Sequence, residues 1–163
     1  MLVYLMQHGE ALSKSEDPAR PLSPEGIRNV RAVARSAAAV GVRLDRVIHS
    51  GKKRARQTAE LLAEALRAEV EEFPGLEPDG PPAPVAELLC KLAGKKLAAV
   101  ALVGHLPNLE RLANRMISGD EQRGVLEFRN AALIRLNPRE NGEYRVGWVL
   151  TPELARSQVT VAE

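Results

Sequence analysis

The chain opens on Leu2-Val3-Tyr4-Leu5-Met6, an unbroken apolar run that stops at Gln7-His8-Gly9-Glu10. A run of that length suits a buried strand and is far too short for a secretory leader or a membrane span. A polar stretch from Glu10 to Pro21 follows. In Ser23-Pro24-Glu25, the Ser23 hydroxyl can accept a free N–H at a helix start, and Pro24 suits the first helical position, where no N–H is needed. Ile27, Val30, Ala34 and Ala37 then recur at helical spacing, and Gly41 can close the helix in a left-handed cap. Arg46-Val47-Ile48-His49 reads as a second strand.

The helical period returns from about Lys53 to Arg67, with Thr58, Ala59, Leu62, Ala65 and Leu66 on one stripe. Glu69 to Phe73 alternates like an edge strand, and the Pro/Gly-rich run from Pro74 to Pro84 reads as a loop. A helix over about Val85 to Leu92 leads to Leu97-Ala98-Ala99-Val100-Ala101-Leu102-Val103. Such continuous apolar character belongs to a central parallel strand covered on both faces. Another helix follows Pro107. Ala131 to Leu136 and Tyr144 to Leu150 read as two strands joined through the turn residues Asn137 to Gly142, and the tail from Pro152 carries no clear pattern. Strands and helices in this order predict an α/β fold, a three-layer α/β/α sandwich around a mostly parallel sheet.

At 163 residues the chain suits one domain over 1–163, with no internal repeat and no linker. Its 23 basic and 21 acidic side chains leave a net charge of +2, too balanced to announce a polyanionic partner. The basic run Lys52-Lys53-Arg54-Ala55-Arg56 sits at a predicted helix start, and two Phe, two Tyr and one Trp offer little for base stacking, so nucleic acid is not the expected partner. Cys90 is the only cysteine. It excludes an internal disulfide, fits a reduced cytoplasmic setting, and in its apolar helical context reads as a core thiol.

In open α/β sheets, ligands bind beyond the carboxyl ends of the strands. Three polar groups stand at such ends here: His8, the Ser50 to Arg54 segment, and His105. Strand-end loops lead into helix N-termini, which favour anions, and a phosphate is the natural ligand. An imidazole can attack phosphorus when one ring nitrogen is bare and the other is held by a hydrogen bond, a condition His8 can meet. Gly9 would let the backbone approach the phosphoryl group closely. Arg54 supplies a planar, permanently charged fork for two phosphoryl oxygens, and His105 a further donor. Arg20, on the long polar loop, can reach the same pocket. His49 has no such company and reads as structural.

The segments Val3 to Glu10, Arg20 to Gly26, Ser50 through Arg54-Ala55-Arg56-Gln57-Thr58, and Gly104-His105-Leu106-Pro107 stand in the order found in the histidine phosphatase superfamily. Over most of its length the chain resembles the SixA-type phosphohistidine phosphatases of that family. The resemblance implies a phosphoglycerate mutase-like fold and a covalent phosphohistidine on His8, with Arg54 and His105 around the phosphate and Gln7, Gly9 and Arg20 binding the substrate. It implies no metal and no other cofactor, and a phosphohistidine-containing protein or a small phosphorylated molecule as partner, with no membrane.

One departure stands out. The family signature is Arg-His-Gly, and this chain has Gln7-His8-Gly9. A neutral amide cannot make the charge-assisted fork of a guanidinium, and by analogy with losing one oxyanion donor the penalty is roughly 10²–10³ in turnover. Arg20 or Lys53 is placed to compensate in part. A general acid is also weakly marked: Glu77 and Asp79 follow the third strand at imperfect spacing. A phosphohistidine substrate needs such an acid less, because imidazole, with a pKa of about 6.5, departs far more readily than an alkoxide. The rival readings are a phosphate-binding pseudoenzyme, motivated by Gln7, and a small-metabolite phosphomonoesterase, which requires Glu77 or Asp79 near the leaving oxygen. The sequence contains no Gly-x-Ser-x-Gly elbow, Walker loop or close zinc-ligand spacing.

Overall fold

The computed structural model describes residues 1–157; residues 158–163, the end of the patternless tail, lie outside them. Six strands form one sheet: β1 (Leu2–Gln7), β2 (Arg46–His49), β3 (Glu69–Glu72), β4 (Ala99–Gly104), β5 (Leu133–Pro138) and β6 (Tyr144–Leu150). Their order is β3-β2-β4-β1-β5-β6. The first four run parallel, β5 joins β1 antiparallel, and β6 completes a hairpin with β5. Five helices cover the sheet: α1 (Pro24–Ala39), α2 (Lys53–Leu66), α3 (Pro82–Gly94), α4 (Asn108–Ser118) and α5 (Pro152–Ser157).

The two-residue period of the strands sorts the core into two halves. Tyr4, Met6, Val47, Ala101 and Val103 pack with residues of α1, α2 and α5, including Val33, Ala37, Leu62 and Ala155. Val3, Leu5, Ile48, Val100 and Leu102 pack with Val85, Leu89 and Leu92 of α3 and Leu109 and Leu112 of α4. The three-layer sandwich expected from the sequence is therefore the architecture found. It also explains the unbroken apolar runs, since all six residues of β4 and the middle four of β1 are buried.

The helix signals act as their chemistry requires. Ser23 caps α1 by accepting the Gly26 N–H at 2.9 Å, and Pro24 opens the helix. Gly41, just beyond, takes the left-handed conformation at φ +81°. Beyond shifts of a few residues at the ends of β4 and β5, three details differ from the sequence expectation. Helix α3 begins at Pro82, three residues earlier than Val85, because its first turn needs no N–H and tolerates proline. Helix α5 lies in the tail, where its six residues are too few to show a period. Cys90 is exposed, not a core thiol: α3 turns Val85, Leu89 and Leu92 inward, which leaves position 90 on the outer face. No described helix is long and apolar enough to cross a membrane.

Candidate active site

The parallel strands deliver their carboxyl ends to one edge. Gln7 pairs with Gly104 across β1 and β4, and the next residue of each strand is a histidine. The His8 N–H donates to the Gly104 carbonyl at 3.1 Å, and the two imidazoles stand with centroids 4.9 Å apart. Ser50 follows β2, the other neighbour of β4. Arg54 lies in the first turn of α2, directly after it.

The hydrogen bonds of His8 fix its chemistry. Its Nδ1 lies 2.7 Å from the Gly9 carbonyl, which can only accept, so Nδ1 carries the proton. Its Nε2 receives the Arg54 Nε–H at 3.2 Å, so Nε2 presents a lone pair. Burial, with the charges of Arg54 and Arg20, pushes the His8 pKa down to about 4, even against the Gly9 hydrogen bond. Burial, joined by His8 and the cations Arg54, Lys52 and Arg20, pushes His105 to about 3. Both rings are neutral at physiological pH, and His8 offers an unprotonated nitrogen without needing a base.

The backbone around His8 is held from three sides. Asn130, in the segment before β5, donates its side-chain amide to the His8 carbonyl at 2.8 Å. The Gly9 N–H donates to Thr58 Oγ1 at 3.0 Å, and the buried Thr58 hydroxyl donates in turn to the Arg54 carbonyl at 2.7 Å. One side chain of α2 thus ties the histidine loop to the turn that carries the arginine. The close approach made by Gly9 is toward α1: a Cβ there would sit 2.8 Å from Val30 Cγ2 and 3.1 Å from the Gly26 carbonyl oxygen.

The polar loop folds back on itself. Leu12 and Pro21 are joined by a backbone hydrogen bond, Ser23 N–H donates to the Glu10 carbonyl, and Gln57 of α2 accepts the Leu22 N–H at 2.8 Å. This closure brings Arg20 back toward the strand ends, where its charge acts on His8, Arg54 and His105. Arg20 has φ +49°, a left-handed conformation uncommon outside glycine, and its Nε donates to the Leu12 carbonyl.

Gln7 ends β1 with its side-chain oxygen buried and unpartnered. Of the two lysines beside Arg54, Lys53 is exposed, and Lys52 is the one whose charge acts on His105. The Lys52 ammonium lies 3.7 Å from Glu77. Glu77 and Asp79 sit with Lys52 around an open depression of about 640 Å³ also lined by Phe73, Pro74 and Pro78. Neither carboxylate is hydrogen-bonded to His8, Arg54 or His105. Their loop is nonetheless fixed beside the site, because buried Asn108 donates to the Gly75 and Gly80 carbonyls at 3.2 and 2.7 Å. His49 is buried and its Nδ1 accepts the Gly51 N–H at 3.0 Å. Among the described residues, no group of three or more His, Cys, Asp or Glu is placed to hold a metal ion.

Four contributors have no role assigned from sequence: Ser50, Thr58, Asn108 and Asn130. Ser50 and Thr58 lie inside segments already singled out, so their position was visible though their bonds were not. Asn130 carries no local signal, since its role depends on β5 pairing beside β1.

A profile of the histidine phosphatase superfamily (branch 1) matches residues 3–77, which include His8, Arg20 and Arg54. The chain is 29% identical to phosphohistidine phosphatase SixA of Escherichia coli strain K12, over 93% of this chain and 94% of that protein. It is 31% identical to an uncharacterised protein of a Picosynechococcus species, over 81% of this chain and 87% of that one. The fold matches a solved structure of the protein histidine phosphatase SixA complexed with tungstate at a TM-score of 0.81, with 30% identity over 93% of this chain and 97% of that one.

Proposed function

The chain belongs to the histidine phosphatase superfamily, and from that premise we propose that it hydrolyses phosphohistidine on a protein through a covalent phosphoryl intermediate at His8. The observation that carries this reading is the pair of opposed hydrogen bonds on the His8 ring, Nδ1–H to the Gly9 carbonyl and Nε2 from Arg54. Similarity to SixA supports the choice of substrate, and its tungstate complex supports a tetrahedral oxyanion as the ligand of such a site.

In the first step the Nε2 lone pair of His8 forms a bond to phosphorus and the bond from phosphorus to the substrate nitrogen breaks. With its other ring nitrogen protonated, the substrate departs as neutral imidazole, and the weak acid signal at Glu77 and Asp79 is no obstacle. Arg54 leaves Nε2 as phosphorus takes its place and turns its donors to the phosphoryl oxygens, joined by His105 and by the charge of Arg20. Phosphorylated His8 is cationic while Nδ1 keeps its proton, and the Gly9 carbonyl is placed to stabilise that charge. Water then attacks phosphorus, the electron pair returns to Nε2, and phosphate leaves as a water proton passes to solvent. No step calls on a metal or other cofactor. The single cysteine suits a cytoplasmic setting.

The test is a side-by-side assay on a histidine-phosphorylated protein and a small phosphomonoester, with wild type and His8→Ala. Wild type should act faster on the phosphohistidine, and His8→Ala should be inactive. Faster turnover of the monoester would overturn the substrate. Phosphate binding without turnover of either would favour the pseudoenzyme reading that neutral Gln7 motivates.

A further inference from the structure

We propose that Ser50 is a positioning residue that sets the tautomer of His105, making Nδ1–H the donor which that ring turns to a phosphoryl oxygen. The proposal rests on the reading of this site as a phosphoryl-transfer pocket.

Ser50 and His105 are both sealed, at 2% and 3% exposure, and their Oγ and Nε2 lie 2.6 Å apart. Distance alone does not say which atom donates. The remaining contacts do. The Ser50 oxygen also receives the Lys52 backbone N–H at 3.4 Å, and an amide N–H can only donate. Those two contacts are all that the Ser50 side chain makes. Were Nε2 protonated and donating, the hydroxyl proton of the buried Ser50 would face no acceptor in the protein, an arrangement that costs the desolvation of a buried donor. The hydroxyl therefore donates to Nε2, and Nε2 is bare.

The second ring nitrogen follows. Burial and four neighbouring positive or imidazole groups hold His105 neutral, so its one proton resides on Nδ1. That Nδ1 is buried and has no hydrogen-bond partner in the protein. An unpaired N–H on a ring packed beside His8, where the charges of Arg54, Lys52 and Arg20 act, is a donor waiting for an anionic acceptor. Without the Ser50 hydroxyl, nothing would keep the ring from the opposite tautomer, which presents a lone pair to the phosphoryl oxygen in place of a proton.

Nitrogen-15 NMR of the histidine rings in the full chain reads the tautomer directly and needs no turnover. Wild-type His105 should be the Nδ1–H form. Ser50→Ala should admit the Nε2–H form and weaken inorganic phosphate binding roughly 10- to 100-fold, the scale of one hydrogen bond to a charged group. Ser50→Thr, which keeps the hydroxyl, should restore both. An Nε2–H ring in wild type would overturn the proposal even if no variant folded. So would a Ser50→Ala protein with unchanged tautomer and phosphate affinity. A wild-type protein that shows the Nδ1–H ring but hydrolyses no phosphoryl substrate would defeat the phosphatase reading and leave the Ser50 assignment standing.

Discussion

The Nε–H of Arg54 points at Nε2 of His8 across 3.2 Å, so the cation best shaped to hold a phosphoryl group also marks the nitrogen that would attack it. In the free protein this contact orients the lone pair. Once phosphorus arrives, the same guanidinium is already within reach of its oxygens. Only the guanidinium has to turn from Nε2 to those oxygens, so little of the protein rearranges at the moment of reaction.

Arg54→Lys keeps the charge but removes both the Nε donor and the planar fork. Steady-state kinetics should show kcat lowered by about 10²–10³, the typical loss for one oxyanion donor. An unchanged kcat would mean that the fork plays no part in the transition state.

Gln7 stands directly before His8 with its side-chain oxygen buried and unpaired. Gln7→Arg should raise kcat on a phosphohistidine substrate by at least about tenfold, part of the roughly 10²–10³ that a preorganised donor provides. Equal or lower turnover would show that Arg20 and Lys52 already supply the charge this chemistry needs.

The sheet and its order of elements were largely legible in the chain, because burial on both faces forces unbroken apolar runs on β1 and β4, and Ser23-Pro24 states a helix start in its own chemistry. The meeting of His8, Arg54 and His105 at one sheet edge was legible for a related reason: each lies beyond a readable strand, at the end where such sheets bind ligands. Cys90 falls outside the core because Pro82, Val85, Leu89 and Leu92 form the inward face of α3, a choice that the apolar surroundings of Cys90 in the sequence do not reveal. The contacts of Thr58 and Asn130 were hidden because they join segments 49 and 122 residues apart, and spacing along a chain does not encode such partners. Nor could the sequence choose between Lys52 and Lys53, adjacent residues that the start of α2 turns in different directions.

The acid response of the rings has a definite sign. His8 and His105, at about 4 and about 3, lie below the ordinary histidine value of 6.5, so between those limits the unfolded chain binds more protons than the folded one. The stability that their neutral forms contribute is complete above about pH 6.5 and is lost as pH falls through the folded values. In NMR titration of the free protein, both rings should remain neutral at about pH 5.5, well below the pKa of free histidine. A midpoint near 6.5 for either would contradict the buried, cation-flanked environment.

Gly9→Ala places a Cβ 2.8 Å from Val30 Cγ2. Urea unfolding should report a loss of about 1–3 kcal/mol, the usual cost of overpacking, and Val30→Ala in the same chain should recover part of it. Additive losses in the double variant would show that the α1 contact is not what demands glycine at this position.

The central claim, that His8 takes the phosphoryl group, is tested most directly by rapid quench of wild-type protein with a radiolabelled histidine-phosphorylated donor, followed by mapping of the acid-labile label. The label should reside on the peptide containing His8 and be absent from His8→Ala. Turnover by wild type with no label trapped there, or with the label on another residue, would contradict it.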